Sequence, residues 1–173
     1  MDTIHNVSEA RDKIVLRKAE EKDIPAISGL TLEKNLLPRS AEEVRSLLPY
    51  YCVAVDTATG KIAGCISTKV YGADAEIISF RVRENFLGRG IGIDLLKRQL
   101  QLLSGQKEIT RIFALTTREV AARIFLRAGF IEVGIQLFGP KVLSDCAKCP
   151  KNNFSDTDGR HLCDEIAVIY RPS

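Results

Sequence analysis

At 173 residues with a net charge of +3, the chain is long enough for one domain with a buried core. It is too weakly basic to argue for nucleic acid, although the mild positive balance favours an anionic cofactor or substrate. Hydrophobic residues make up 45% and charged residues 27%, which excludes disordered and fibrous classes, and no apolar run approaches the length of a membrane span.

The N-terminus from Met1 to Asp12 is polar and lacks the apolar stretch of a secretory signal. It reads as a flexible leader (1–12) before a single domain at 13–173, and cytoplasmic placement is expected. Lys13 to Lys18 sets Ile14 and Leu16 on one face of a first strand. Asp23 reads as a helix N-cap with Pro25 in the first turn, followed by Ile24, Ile27 and Leu30 at helical spacing and an end before Pro38. Ser40 with Glu43 has the spacing of a capping box and opens a short helix carrying Val44, Leu47 and Leu48. Strands over Tyr51–Asp56, Lys61–Val70 and Ala75–Arg83, separated by turns at Thr57–Gly60 and near Gly72, predict an antiparallel meander.

Gly88-Arg89-Gly90-Ile91-Gly92 then joins that meander to a helix over Ile91–Leu103. Ile93, Leu96, Leu100 and Leu103 form its expected inner face, with Asp94, Lys97, Arg98 and Gln101 outside. Ile112–Leu115 has the length of a buried strand, Arg118–Arg127 reads as a helix ended by Gly129, and Phe130–Leu137 as a strand. Asp145–Arg160 is polar and irregular, and Glu165–Tyr170 is a closing strand. The order β-α-α-β-β-β-α-β-α-β-loop-β predicts an α+β fold, with a mixed, mostly antiparallel central sheet flanked by helices.

The glycine segment is the most informative motif. A glycine turn between a strand and a helix points several backbone N–H groups at the positive end of the helix dipole, a cradle for phosphate. A dinucleotide fold requires Gly-x-Gly-x-x-Gly and a P-loop requires Gly-Lys-Ser/Thr. Here the third glycine is one position early and no lysine follows, so both rivals fit poorly; a plain surface turn is the remaining alternative.

Leu87-Gly88-Arg89-Gly90-Ile91-Gly92 in this setting resembles the Gln/Arg-x-x-Gly-x-Gly/Ala signature of the GNAT acetyltransferase superfamily, which grips the pyrophosphate of acetyl-coenzyme A. Leu87 departs from the pattern and removes one side-chain contact. Leu16-Arg17-Lys18-Ala19 with Asp23-Ile24, and Arg127-Ala128-Gly129-Phe130, look like the superfamily's opening and its closing Gly-Phe. A narrower set of segments resembles N-acetylglutamate synthases, above all the short single-domain bacterial form. These are Leu36-Leu37-Pro38-Arg39-Ser40 with Glu43, Gly64-Cys65, Ala75-Glu76-Ile77 and Phe113 to Thr117, together with Asp145-Cys146-Ala147-Lys148-Cys149-Pro150 and Cys163-Asp164-Glu165-Ile166-Ala167. The resemblance implies an N-acetyltransferase moving acetyl from acetyl-CoA to L-glutamate, in arginine biosynthesis, with homodimers frequent among relatives.

The resemblance also implies a set of site residues. Backbone groups of Gly88, Arg89, Gly90, Ile91 and Gly92 hold the pyrophosphate, with Arg89 near the 3′-phosphate, and the strand Phe80-Arg81-Val82 holds the pantetheine arm. An amine acceptor must lose a proton before it attacks the thioester, and Glu76 is the candidate base. Phe125 stands where many members of the superfamily carry a tyrosine acid; Thr116 and Thr117 are candidates to donate a proton or hold a water. Arg39, with Ser40 beside it, is the candidate to grip a substrate carboxylate in bidentate fashion. Cys146, Cys149, His161 and Cys163 form a candidate zinc site, with free thiols or a disulfide as alternatives. Cys52 and Cys65 read as buried apolar residues. Two other functions remain open at this level: an acetyltransferase for another amine, such as an amino acid, a polyamine or a protein N-terminus, and an acetyl-CoA-binding regulator without turnover.

Overall fold

The computed structural model describes residues 13–33, 36–117, 119–134, 137 and 165–172. In chain order these form β1 (Ile14–Lys18), α1 (Ile24–Thr31), α2 (Ala41–Ser46), β2 (Cys52–Asp56), β3 (Ile62–Tyr71), β4 (Asp74–Val82), α3 (Ile91–Ser104), β5 (Arg111–Thr116), α4 (Glu119–Arg127), β6 (Ile131–Val133) and β7 (Ile166–Tyr170). The leader at 1–12 and the whole Cys-containing segment at 145–163 lie outside the described residues.

Local chemistry sets the helix starts. Ser40 Oγ accepts the Glu43 N–H at 3.1 Å and Glu43 Oε2 accepts the Ser40 N–H at 2.8 Å, the reciprocal pair that the sequence spacing predicts. Asp23 stands at the N-cap of α1 but makes no side-chain cap bond to it. Its carboxylate instead accepts the Glu20 N–H at 2.8 Å and both ends of the Arg17 guanidinium, at 2.6 and 2.9 Å. Asp23 therefore ties the end of β1 to the start of α1 rather than capping the helix.

The seven strands form one sheet in the order β1-β2-β3-β4-β5-β7-β6. Every neighbouring pair is antiparallel except β4–β5, which are parallel because α3 carries the chain back between them. The expected meander is β2-β3-β4, its last turn a two-residue hairpin at Gly72-Ala73 with Tyr71 opposite Asp74. Residues 131–133 are in strand, shorter than the expected run from Phe130 to Leu137.

Each face of the sheet is covered. Leu95, Leu96, Leu100 and Leu103 of α3, with Phe125 of α4, pack on Ala54, Ile66, Ile77, Ile112 and Ala114. The inner face of α3 includes Ile91, Leu95 and Leu96, whereas Ile93, expected inside, is only half-buried. On the opposite face Ile24, Ile27 and Leu30 of α1 and Val44 of α2 cover Val53, Ile62 and Cys65. Each fully buried Leu or Ile contributes about 1.5–3 kcal/mol, so α3 and α4 fix one face of β4 while α1 and α2 hold β2 and β3 from the other side of the sheet. At Gly64 on β3 an added Cβ would lie 2.7 Å from the Arg81 carbonyl oxygen, so β3 approaches β4 more closely there than any side chain allows.

Candidate active site

The glycine turn adopts the geometry its residues suggest. Gly88 and Gly90 have φ of 77° and 78°, left-handed values that L side chains rarely take. Gly90 is the N-cap of α3, and its carbonyl accepts the Asp94 N–H at 3.2 Å. No backbone hydrogen bond among the described residues uses the N–H of Gly88, Gly90, Ile91 or Gly92. These donors stand at the positive end of a fourteen-residue helix, the arrangement that binds anions. Gly92 is buried, and a Cβ there would meet Ile124 at 3.3 Å and Phe80 at 3.6 Å, so the helix start rests directly on β4 and α4. Arg89 donates to the Asn85 carbonyl at 3.2 Å and stacks 5.0 Å from the Phe86 ring centroid. Leu87 is exposed.

Beside this turn the sheet splits. β4 and β5 pair only through Asp74–Arg111, Ala75–Ile112 and Glu76–Phe113, although β4 continues to Val82 and β5 to Thr116. From Ile77 onward the β5-facing edge of β4 has no strand partner among the described residues, leaving a wedge with free backbone on one wall. Phe80 lines the side toward α3 and α4, its ring 5.5 Å from that of Phe125. A bulge occurs where β4 passes Ile66: Cys65 opposes Arg81 while Ser67 opposes Ile78. Within it Ser79 has φ 52°, the one left-handed non-glycine among the described residues. The Tyr51 hydroxyl, 2.8 Å from Ser79 Oγ, holds it. Burial is the main reason the Tyr51 phenol is pushed up to about 12, so it stays protonated as a neutral partner.

Glu76 occupies the last pair before the split. It is 8% exposed, stands across from Lys69 on β3, and accepts a hydrogen bond from the Tyr71 hydroxyl at 3.1 Å. Alternation along β5 puts Thr116 on the face of Ile112 and Ala114, opposite to that of Phe113 and Glu76, so Thr116 and Glu76 do not converge. Thr117 Oγ is buried without a hydrogen-bond partner among the described residues. The main chain of Arg39 is pinned to α1, its N–H donating to Thr31 Oγ at 2.9 Å and its carbonyl accepting from Ser28 Oγ at 2.7 Å. The Arg39 side chain is 11% exposed, 3.9 Å from Glu43. Its Nε is buried with no protein acceptor among the described residues, and its charge acts on the Tyr51 hydroxyl. Ser40, by contrast, has its hydroxyl engaged in the α2 cap. The Arg81 side chain forms a part-buried ion pair with Glu33, its Nε 2.7 Å from Oε2, which leaves only the main chain of Arg81 to act in the wedge.

Cys146, Cys149, His161 and Cys163 lie outside the described residues, and no group of metal-ligating side chains occurs among the described ones. Cys52 and Cys65 are buried free thiols; burial raises both, Cys65 to about 12. Three site neighbours escape a reading of the sequence alone: Tyr51, Ser79 and Tyr71. Only Tyr71 leaves a signal, since a two-residue turn at Gly72-Ala73 brings it beside Glu76.

The model of the acetyltransferase (GNAT) family matches residues 19–130. An uncharacterized N-acetyltransferase of Chlorobaculum tepidum is 32% identical over 159 residues, covering 89% of this chain and 94% of its own length. Among solved structures, Rv2747 from Mycobacterium tuberculosis, in complex with CoA and NLQ, superposes with a TM-score of 0.69 at 24% identity, over 91% of this chain and 98% of that one. The N-acetylglutamate synthase of Neisseria gonorrhoeae, complexed with coenzyme A and N-acetyl-glutamate, superposes with a TM-score of 0.73 at 22% identity. That match spans 92% of this chain but 35% of the Neisseria protein. At these identities the structural likenesses establish the shared fold.

Proposed function

This chain belongs to the acetyltransferase (GNAT) family, enzymes that move acetyl from acetyl-CoA to an amine, and on that premise we propose that its acceptor is L-glutamate and that Glu76 is the general base. The observation that carries the reading is the position of Glu76: the last residue pair before β4 and β5 part, at the closed end of the wedge that leads to the glycine turn. A thioester whose pantetheine arm lies along Phe80 to Val82 would bring its acetyl group toward that end. The N–H groups of Gly88, Gly90, Ile91 and Gly92 would receive the pyrophosphate.

In the proposed reaction, Glu76 takes a proton from the substrate ammonium, and the freed amine attacks the thioester carbonyl carbon. The C–S bond then breaks, and coenzyme A leaves as a thiolate that is protonated from solvent. A bulge N–H, near Phe80, would polarise the carbonyl oxygen as charge develops. Transfer is direct in this reading; among the described residues the thiols of Cys52 and Cys65 are buried and raised by burial, which makes them poor nucleophiles. Thr117 is retained as a candidate to hold a water. Arg39 supports a carboxylate-bearing acceptor, because a buried guanidinium nitrogen without a protein partner is costly unless a ligand meets it. The Neisseria synthase crystallised with N-acetyl-glutamate adds to this support.

Release of free thiol from acetyl-CoA tests the proposal, measured with glutamate, glutamine, a polyamine and an N-terminal peptide as acceptors. The expected result is saturable release with glutamate, reduced about 10²–10⁴-fold in kcat by Glu76→Gln. Turnover with another amine alone would reassign the acceptor. Coenzyme binding without turnover on any amine would favour a regulator, and unchanged turnover in Glu76→Gln would remove Glu76 as the base.

A further inference from the structure

Glu76 accepts a hydrogen bond from a residue on the adjacent strand, Tyr71 of β3. Glu76 is 8% exposed, so its carboxylate has lost most of its hydration and depends on donors from the protein. The Tyr71 hydroxyl, 3.1 Å from Oε2, is one of these. Tyr71 is itself fixed on two sides. Its ring centroid lies 6.4 Å from that of Phe113, the residue that faces Glu76 across β4–β5, and Lys69 Nζ sits 5.0 Å from the same centroid. Lys69 in turn is the direct cross-strand partner of Glu76, so β3 presents both a neutral donor and a cation to one carboxylate. Two residues before Glu76 on β4, Asp74 pairs with Arg111 of β5, Arg111 Nε to Asp74 Oδ1 at 2.9 Å. On β7, the residue paired with Phe113 is the apolar Ile169.

We propose that Tyr71 is a positioning residue for catalysis: its hydroxyl keeps the Glu76 carboxylate ionised and aimed into the wedge. The proposal rests on reading Glu76 as the base.

The test is the pH dependence of acceptor kcat/KM in wild type, Tyr71→Phe, Glu76→Gln and the double variant. Tyr71→Phe keeps the ring between Phe113 and Lys69 and removes only the hydroxyl, and its thermal unfolding should match wild type. Loss of one hydrogen bond to an ionised group is expected to displace the acidic limb upward by about one pH unit. It should also lower kcat about tenfold, with KM for acetyl-CoA unchanged. Added to Glu76→Gln, Tyr71→Phe should cost nothing further. A Tyr71→Phe profile that superimposes on wild type overturns the proposal, as does an equal cost in both backgrounds. If Glu76→Gln is impaired while Tyr71→Phe is not, the role of Tyr71 alone fails. If Glu76→Gln turns over normally, the base assignment fails with it.

Discussion

Arg39 and Asp23 show how differently two charged residues near α1 act. Arg39 keeps its main chain tied to Thr31 and Ser28 while its guanidinium Nε has no protein acceptor among the described residues. Removing it should therefore harm binding more than folding. Arg39→Ala is expected to raise KM for glutamate about 10–100-fold, the loss of a charge-assisted hydrogen bond or two, with little change in Tm. Arg39→Lys should recover only part, because an ammonium cannot reproduce the planar fork. Asp23 is structural. Burial pushes its carboxyl up, but the Arg17 guanidinium and the Glu20 N–H outweigh it and hold the group below the ordinary carboxylate value. A depressed folded-state value contributes stability that is present above the unfolded value of about 3.9 and is lost as pH falls through the folded value. Thermal unfolding between about pH 6 and pH 2 should thus show wild type more stable than Asp23→Asn near neutrality. That advantage should shrink below about pH 4; an advantage independent of pH would contradict the ion pair.

The turn and its helix act as one element, and their glycines are not equivalent. Gly90 sits at φ 78° at the N-cap of α3, whereas Gly105 at the far end has φ −76° and a nearest Cβ neighbour at 3.6 Å. Gly90→Val should raise KM for acetyl-CoA about tenfold or more, because a β-branched residue resists left-handed backbone at a cost of about 1–2 kcal/mol and turns the N–H groups away. Gly105→Ala should leave KM unchanged. Equal effects of the two on acetyl-CoA binding would contradict the cradle. At this scale much was legible in the residues. The alternation in β1, the Ser40–Glu43 box, the Gly72 hairpin and the 88–92 turn each follow from local chemistry that tertiary contacts do not override. The inner face of α3 was misjudged at Ile93 because the 3.6-residue period allows two adjacent stripes, and the choice depends on how the helix lies against β3 and β4. Asp23 stands at the N-cap position its residue type suggests, but its carboxylate is drawn to Arg17 on β1 instead of the helix N–H groups, and a competing ion pair of that kind leaves no mark in the local sequence.

Across the whole molecule, the sheet is organised around the place where it comes apart. Helices α3 and α4 cover one face of β4, α1 and α2 cover β2 and β3 on the other side of the sheet, Gly64 lets β3 approach β4, and the one parallel pairing among the described residues, with β5, ends at Glu76. The β2-β3-β4 meander and the mostly antiparallel sheet could be anticipated from the element order. The extent of the β4–β5 pairing could not, because it depends on the register of strands far apart in sequence. The Ser79 bulge and its Tyr51 support were hidden for the same reason, joining residues 28 positions apart. The family assignment fixes the donor chemistry, and the acceptor is proposed from Arg39 and Glu76. A competition assay addresses it directly: acetyl-labelled acetyl-CoA is offered to an equimolar mixture of glutamate, glutamine, a polyamine and an N-terminal peptide, and the labelled products are quantified by mass spectrometry. Product ratios report relative kcat/KM. The account predicts N-acetylglutamate as the dominant labelled product, strongly diminished in Arg39→Ala and Glu76→Gln; a dominant label on any other acceptor would contradict it.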